Sequence, residues 1–320
     1  MWNIRNHFIR DTLRAILGPR VTWGLALRAR RLSRDFPARI QDVFRRVSAE
    51  TCLNDDQPVF LFSAGWRSGS TLLQRMIMEN NKETLIWGEP FSHSNIFDGL
   101  VSQLRAFTDE WPRNAFFASR MDPNNLTDSW IANLYPDIDH LLKAHRDFFH
   151  TLFVKPAFLL GRRNWGFKEV RLTIDHAVYL RALYPRCKIL FLYRDPLDAY
   201  LSYRNWDSGW FRTWPQRHIS TPYAFGRNWA EITRGYLHGH KTVDALLIRY
   251  EDLDSPADVS RLQAYLGWTV PSASEMRHIK RPDSDHSSET SHRDKLPIAD
   301  RMLLKLAAGA VRREAGYRDR

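Results

Sequence analysis

Residues 59–73 read Val59-Phe60-Leu61-Phe62-Ser63-Ala64-Gly65-Trp66-Arg67-Ser68-Gly69-Ser70-Thr71-Leu72-Leu73. A short apolar run gives way to a glycine-containing loop, and Leu72, Leu73, Met76 and Ile77 then follow at helical spacing. That order predicts strand, loop, helix. A loop in this position turns several main-chain N–H groups toward one point, and the helix N-terminus adds positive potential. Gly65 and Gly69 permit close backbone approach to a phosphate. Ser70 and Thr71 add hydroxyl donors, and Arg67 adds charge. The stretch is not a Walker A loop, which requires GxxxxGK[ST]. Gly65 and Gly69 stand one residue too close, and Gly69 itself occupies the place of the ATP-clamping lysine. The stretch keeps a phosphate site and loses the signature of ATP hydrolysis.

Reading outward, the same alternation recurs. Thr84 to Trp87 and Trp165-Gly166-Phe167 are strand-like, and Ile174 to Tyr184 is helical. Lys188 to Tyr193 is a strongly apolar strand with a helix opening at Pro196. Ala245 to Ile248 is another strand, with a helix ending near Leu266-Gly267. Strands alternating with helices predict an α/β fold with a mainly parallel sheet flanked by helices. Ligands of such sheets bind beyond the C-terminal strand ends. Residues 95–150 are aromatic-rich and carry no motif. Residues 280–296 are polar and precede a final basic helix. Residues 1–50 form an Arg-rich arm in which Phe8, Leu13, Ile16 and Leu17 alternate with Arg5, Arg10, Arg14 and Arg20. Such an arm packs its apolar stripe on the domain, or lies on an acidic membrane surface.

The second informative stretch is Ile189-Leu190-Phe191-Leu192-Tyr193-Arg194-Asp195-Pro196-Leu197-Asp198-Ala199-Tyr200-Leu201-Ser202-Tyr203. The strand delivers Arg194 to its end. Asp195 is the expected N-cap and Pro196 the first helical residue, and Ser202 lies about two turns along that helix. A surface ion pair of Arg194 with Asp195 or Asp198 is the alternative use of the arginine.

Arg67-Ser68-Gly69-Ser70-Thr71-Leu72-Leu73 resembles the 5′-phosphosulfate loop of sulfotransferases that use 3′-phosphoadenosine-5′-phosphosulfate (PAPS), in its [RK]-[ST]-G-[ST]-[ST] form. The resemblance implies a P-loop-like sulfotransferase fold over residues 51–320 and assigns Arg67, Ser68, Gly69, Ser70, Thr71 and Leu72 to the cofactor. Its second element is an arginine at a strand end with a serine eight residues later. These are Arg194 and Ser202, which the resemblance places on the 3′-phosphate. A guanidinium suits that task because it holds phosphate bidentately and stays charged. Leu247-Ile248-Arg249-Tyr250-Glu251-Asp252-Leu253 resembles a further family segment, which puts Tyr250 near the adenine. Ser291-His292-Arg293-Asp294-Lys295 stands where the family has a late basic loop, with Arg293 over the 3′-phosphate. Ala315-Gly316-Tyr317 resembles a terminal structural motif.

Sulfuryl transfer needs an oxygen in line with the departing phosphate, a base for its proton, and cations on the leaving oxygens. The resemblance gives Arg67 and Lys168 the cationic role and requires no metal. Where the cytosolic branch of the family has its histidine base, this chain has Val170, which accepts no proton. Trp87-Gly88-Glu89-Pro90-Phe91 resembles the Gly-Glu segment of the branches whose base is a glutamate, which makes Glu89 the expected base. Trp87 and Phe91 would give it the apolar setting that favours a carboxylate base. His93 and Glu169 are its rivals.

Composition narrows the partners. The chain has 320 residues, is 43% hydrophobic, and carries a formal net charge of +11. That balance suggests an anionic partner or is compositional drift toward arginine, and charge alone does not decide between them. Dispersed basic residues with no reading motif argue against nucleic acid. With only Cys52 and Cys187, composition argues against a disulfide framework and allows no CxxC pair or zinc cluster, and Cys187 is expected to be buried at a strand start. With no spanning or signal segment evident, a cytoplasmic protein is expected. Trp206, Trp210 and Trp214, at four-residue intervals, either pack as a helix face on the domain or stack on a sugar or lipid, and the second use gives a carbohydrate or lipid-linked carbohydrate acceptor hydroxyl. Two other functions share these features: a P-loop kinase for a small molecule, and a non-catalytic scaffold that binds membranes or polyanions.

Overall fold

β1 (Val59–Ser63) has every residue buried, and its side chains sort by alternation. Phe60 and Phe62 enter a cluster rich in aromatic rings, including Phe149, Trp165, Phe167 and Tyr184. Val59 and Leu61 enter an aliphatic cluster with Leu73, Met76 and Ile77 on the other face. β4 (Lys188–Tyr193) repeats the division, with Ile189 and Phe191 on the aromatic face and Leu190 and Leu192 on the aliphatic one. Burial on both faces is why these strands read as continuous apolar runs.

In the computed structural model the described residues are Ile40, 56–90, 96–105, 107, 111–128, 131–204, 219–278 and 296–318. Apart from Ile40, the expected N-terminal arm lies outside them, as do Phe91, His93, the three tryptophans at 206, 210 and 214, and Arg293. After β1 come α1 (Ser70–Glu79), β2 (Thr84–Trp87), α2 (Ile96–Arg105), α3 (Ile138–Phe149) and the short α4 (Lys155–Leu159). β3 (Asn164–Glu169) and α5 (Ile174–Leu183) lead into β4 and α6 (Pro196–Arg204). The chain continues through α7 (Pro222–Gly239), β5 (Ala245–Arg249), α8 (Pro256–Leu266), α9 (Ala273–His278) and α10 (Ile298–Glu314).

The five strands form one sheet in the order β2-β3-β1-β4-β5, and every pairing is parallel. β3 is longer than its apolar residues suggest, so Lys168 and Glu169 belong to the strand, opposite Leu61 and Phe62 of β1. Gly166 faces Val59 so closely that a Cβ there would lie 1.9 Å from the Val59 carbonyl oxygen. That approach admits only glycine. Cys187 is buried just before β4, and burial pushes its thiol up to about 12, which leaves it inert.

Helices cover both faces. α1, α8 and α9 pack on the aliphatic side. α2, α3, α5, α7 and α10 pack on the aromatic side. α1, which follows β1, therefore lies on one face, while α5, which follows the neighbouring β3, lies on the other. This is the arrangement that opens a crevice at the C-terminal ends of the central strands. Among the described residues no helix is long and apolar enough to cross a membrane.

Candidate active site

The loop after β1 is fastened at its base. Ala64 donates its N–H to the Leu192 carbonyl at 2.8 Å, and Gly65 donates to the Val170 carbonyl at 3.1 Å. Gly65, Arg67 and Gly69 then take φ of 84°, 61° and 86°. Repeated left-handed residues curl a backbone so that its N–H groups converge into an anion-binding concavity. Arg67 is the one non-glycine among them, a conformation that L side chains adopt at some cost. Gly69 is the N-cap of α1 and offers no side-chain acceptor. The first-turn N–H groups of Ser70, Thr71 and Leu72 precede the first intrahelical bond, from Leu73 to the Gly69 carbonyl. Ser68 is fully buried, and its hydroxyl turns back to donate to the Gly65 carbonyl at 3.0 Å. Its offering to a ligand is thus main-chain N–H, with the side chain bracing the loop.

The second stretch arrives at the same place. Arg67 Nε donates to Ser202 Oγ at 2.9 Å across 135 residues of sequence. Arg194 Nη1 donates to the Arg67 carbonyl at 3.1 Å, and its guanidinium lies 4.4 Å from the centre of the Tyr250 ring. Tyr250 also covers Gly69, where a Cβ would fall 2.2 Å from the tyrosine Cδ2. Gly69, Tyr250 and Arg194 are therefore layered, and the glycine is what lets the ring in. Burial, and after it the nearby Arg194, lower the pKa of Arg67, with Tyr250 opposing. Two guanidinium groups held this close favour an anion between them.

Arg194 is not spent on its acidic neighbour. The Asp195 carboxylate caps α6 by accepting the Leu197 N–H at 3.0 Å, as the sequence suggested. The same carboxylate takes a bidentate pair from Arg312 of α10, at 3.0 Å from Nε and 2.7 Å from Nη2, with both residues buried. The Asp195 N–H donates to Glu251 Oε1 at 3.0 Å, and the Tyr317 hydroxyl donates to Glu251 Oε2 at 2.8 Å. Trp229 Nε1 donates to the Arg194 carbonyl at 2.9 Å. Asp195, Glu251, Trp229, Arg312 and Tyr317 hold the Arg194 strand end in place. Of these Asp195, Tyr317 and Glu251 stand in stretches the sequence singled out, whereas Trp229 and Arg312 carried no signal; the Tyr317 hydroxyl bracing Glu251 is a structural role.

At the β2–β3 side of the crevice, Lys168 Nζ lies 2.5 Å from Glu89 Oε1, with side chains 7% and 18% exposed. Trp87 Nε1 donates to the Phe153 carbonyl at 3.1 Å, which fixes the strand end before Glu89. Glu169, the rival carboxylate, is wholly buried and accepts from the Val170 N–H at 2.8 Å and from Arg171 Nε at 2.7 Å. Burial raises its pKa while Arg171 pulls it down. The fold gives Glu169 to Arg171 and leaves Glu89 on Lys168.

Arg67, Arg194, Lys168 and Glu89 thus gather at or just beyond the C-terminal ends of strands in one parallel sheet, three cations and a carboxylate along one crevice. The chain belongs to the sulfotransferase family, whose model matches residues 58–272. Among solved structures it is similar to a sulfotransferase from Alicyclobacillus acidocaldarius, with 18% identity over 83% of this chain and 98% of that one, TM-score 0.42. It is likewise similar to the sulfotransferase domain of the Synechococcus PCC 7002 olefin synthase, with 14% identity over 84% and 98%, TM-score 0.41. No curated protein matches the chain. The family match ends before α10, so Arg312 and Tyr317 lie beyond it.

Proposed function

We propose that this sulfotransferase uses PAPS as donor and moves its sulfuryl group to an acceptor hydroxyl, with Glu89 as the base. The observation that carries the reading is the meeting of Arg67, Arg194 and Ser202 at one strand-end crevice. In the proposed reaction the acceptor oxygen attacks sulfur, and the bond from sulfur to the bridging oxygen of the 5′-phosphate breaks. The hydroxyl proton goes to Glu89, and 3′-phosphoadenosine 5′-phosphate (PAP) leaves with the electron pair. Arg67 and Lys168 offset the charge that grows on the leaving oxygens. Loop N–H groups would hold the 5′-phosphosulfate, Arg194 and Ser202 the 3′-phosphate, and Tyr250 would border the adenine. Arg293 completes the reading from sequence alone. The carbohydrate acceptor also stays a proposal from sequence, resting on Trp206, Trp210 and Trp214.

The test is calorimetric titration with PAP, adenosine 5′-phosphate and ATP with and without magnesium. PAP is expected to bind far more tightly than adenosine 5′-phosphate. Arg194→Ala is expected to weaken PAP by about 10- to 100-fold, the loss of one charged bidentate contact. Binding that ignores the 3′-phosphate, or that favours magnesium-ATP, would overturn the reading and bring the kinase forward.

Gly69→Ala provides a second check on the same site. The new methyl must displace Tyr250, on which Arg194 rests, and must tolerate a positive φ. The left-handed conformation alone costs about 1–2 kcal/mol. That strain lowers stability, whereas PAP affinity is expected to fall by about tenfold because the displaced ring no longer supports Arg194. Unchanged affinity would separate Tyr250 from the nucleotide.

A further inference from the structure

The opposite end of the strands carries a feature with no part in this chemistry. Phe158, Leu159 and Leu160, consecutive in sequence, are 71%, 83% and 62% exposed. Scattered exposed apolar residues are ordinary, but a contiguous run of large ones marks an interaction site. They sit where α4 ends, immediately before the start of β3. The turn that presents them is built. The Gly161 N–H donates to the Phe158 carbonyl at 2.9 Å and the Arg162 N–H to the Ala157 carbonyl at 3.0 Å. With Gly161 at φ 73°, these are the two closing bonds of a glycine-capped helix end. Ala157, buried, anchors the turn from inside. The apolar contact that often closes such a cap is missing its partner here, because the position after the glycine is Arg162.

The surroundings are cationic. Lys155 lies three residues before Phe158 on the same helix, and Arg162 and Arg163 follow the turn. Arg162 Nη1 donates to the carbonyl of Lys82, which brings that lysine alongside. Glu79 and Glu83 approach Lys82 and Arg163 only at 3.6 and 4.0 Å, as exposed pairs of little strength, and cations remain in excess.

We propose that this tip docks the protein on an anionic lipid surface, with Phe158, Leu159 and Leu160 entering the acyl boundary and Lys82, Lys155, Arg162 and Arg163 meeting the headgroups. Apolar side chains rimmed by basic ones are the composition of an interfacial anchor. A second copy of the chain fits less well, since a two-fold contact would set the same four cations against themselves. The rigid turn means that no ordering of the loop opposes insertion. Because the tip lies at the N-terminal ends of β2 and β3, the crevice at the C-terminal ends stays open to water.

Vesicle flotation with the full chain tests this, using phosphatidylcholine vesicles with and without phosphatidylglycerol. The parent is expected to float with the anionic vesicles and far less with the neutral ones. Phe158→Ser with Leu159→Ser is expected to reduce that binding by about tenfold or more. Lys155→Ala with Arg163→Ala, which touch no buried contact, is expected to weaken anionic binding by about tenfold. Both variants should keep the parent's circular dichroism and unfolding temperature. The proposal is overturned if the parent fails to float, or if the serine variant floats as well as the parent. It is equally overturned if the serine variant turns a dimeric parent into a monomer by sedimentation, which would give the tip to a second copy.

Discussion

Glu89→Gln is expected to lower turnover by about 10²- to 10⁴-fold, the range for loss of a positioned general base, while PAP affinity stays nearly unchanged. The asymmetry follows from geometry. Glu89 lies at the end of β2 on the Lys168 side of the crevice, whereas the phosphate contacts come from Arg67, Arg194 and Ser202. Glutamine keeps the size and a hydrogen bond to Lys168 and loses only the capacity to take a proton. Glu169→Gln separates the rival. Its carboxylate is wholly buried against Arg171, so its loss is expected to appear as lowered stability. His93→Ala should leave turnover close to the parent's. If His93→Ala abolished turnover while Glu89→Gln retained it, the proposed base would be wrong.

Much of this site was legible because its phosphate-facing parts are local. The loop 63–71 and the run 189–203 each carry strand, turn and helix in one stretch, so chain order alone puts their functional residues at strand ends. The apolar runs of β1 and β4 mark a sheet covered on both faces, and the alternation of aromatic and aliphatic residues within them sorts their side chains into the two clusters. The apolar signal of β3 covers only Trp165-Gly166-Phe167, and the strand runs on through the charged Lys168 and Glu169. Both are buried strand residues only because Glu89 and Arg171 meet them. No sequence pattern announces a pairing of Lys168 with Glu89, which depends on β2 and β3 being neighbours. The strand order that makes them so is a tertiary fact. The same holds for Asp195. Its neighbour in sequence, Arg194, looked like its natural partner, but Arg312, 117 residues away, takes the carboxylate.

That long-range pair has a measurable consequence. Arg312→Met is expected to destabilise the protein by about 3–5 kcal/mol, the cost of leaving one member of a buried ion pair without the other. Asp195 and Arg312 are each 2% exposed, so water cannot replace the lost guanidinium. The carboxylate would keep only the Leu197 N–H at the start of α6. A fall of roughly 5–10 °C in Tm is expected from that loss. Asp195→Asn in the same background removes the stranded charge while retaining an oxygen for the cap. The double variant should therefore recover part of the loss, with a coupling of about 1–3 kcal/mol. The effect should also reach the nucleotide. Asp195 and Glu251 brace the strand end that aims Arg194, so PAP affinity in Arg312→Met is expected to fall even well below the unfolding temperature. A variant with parental Tm would mean that the pair is not holding α10 to the sheet. A variant with lowered Tm and undiminished PAP affinity would mean that Trp229, through the Arg194 carbonyl, fixes the arginine by itself.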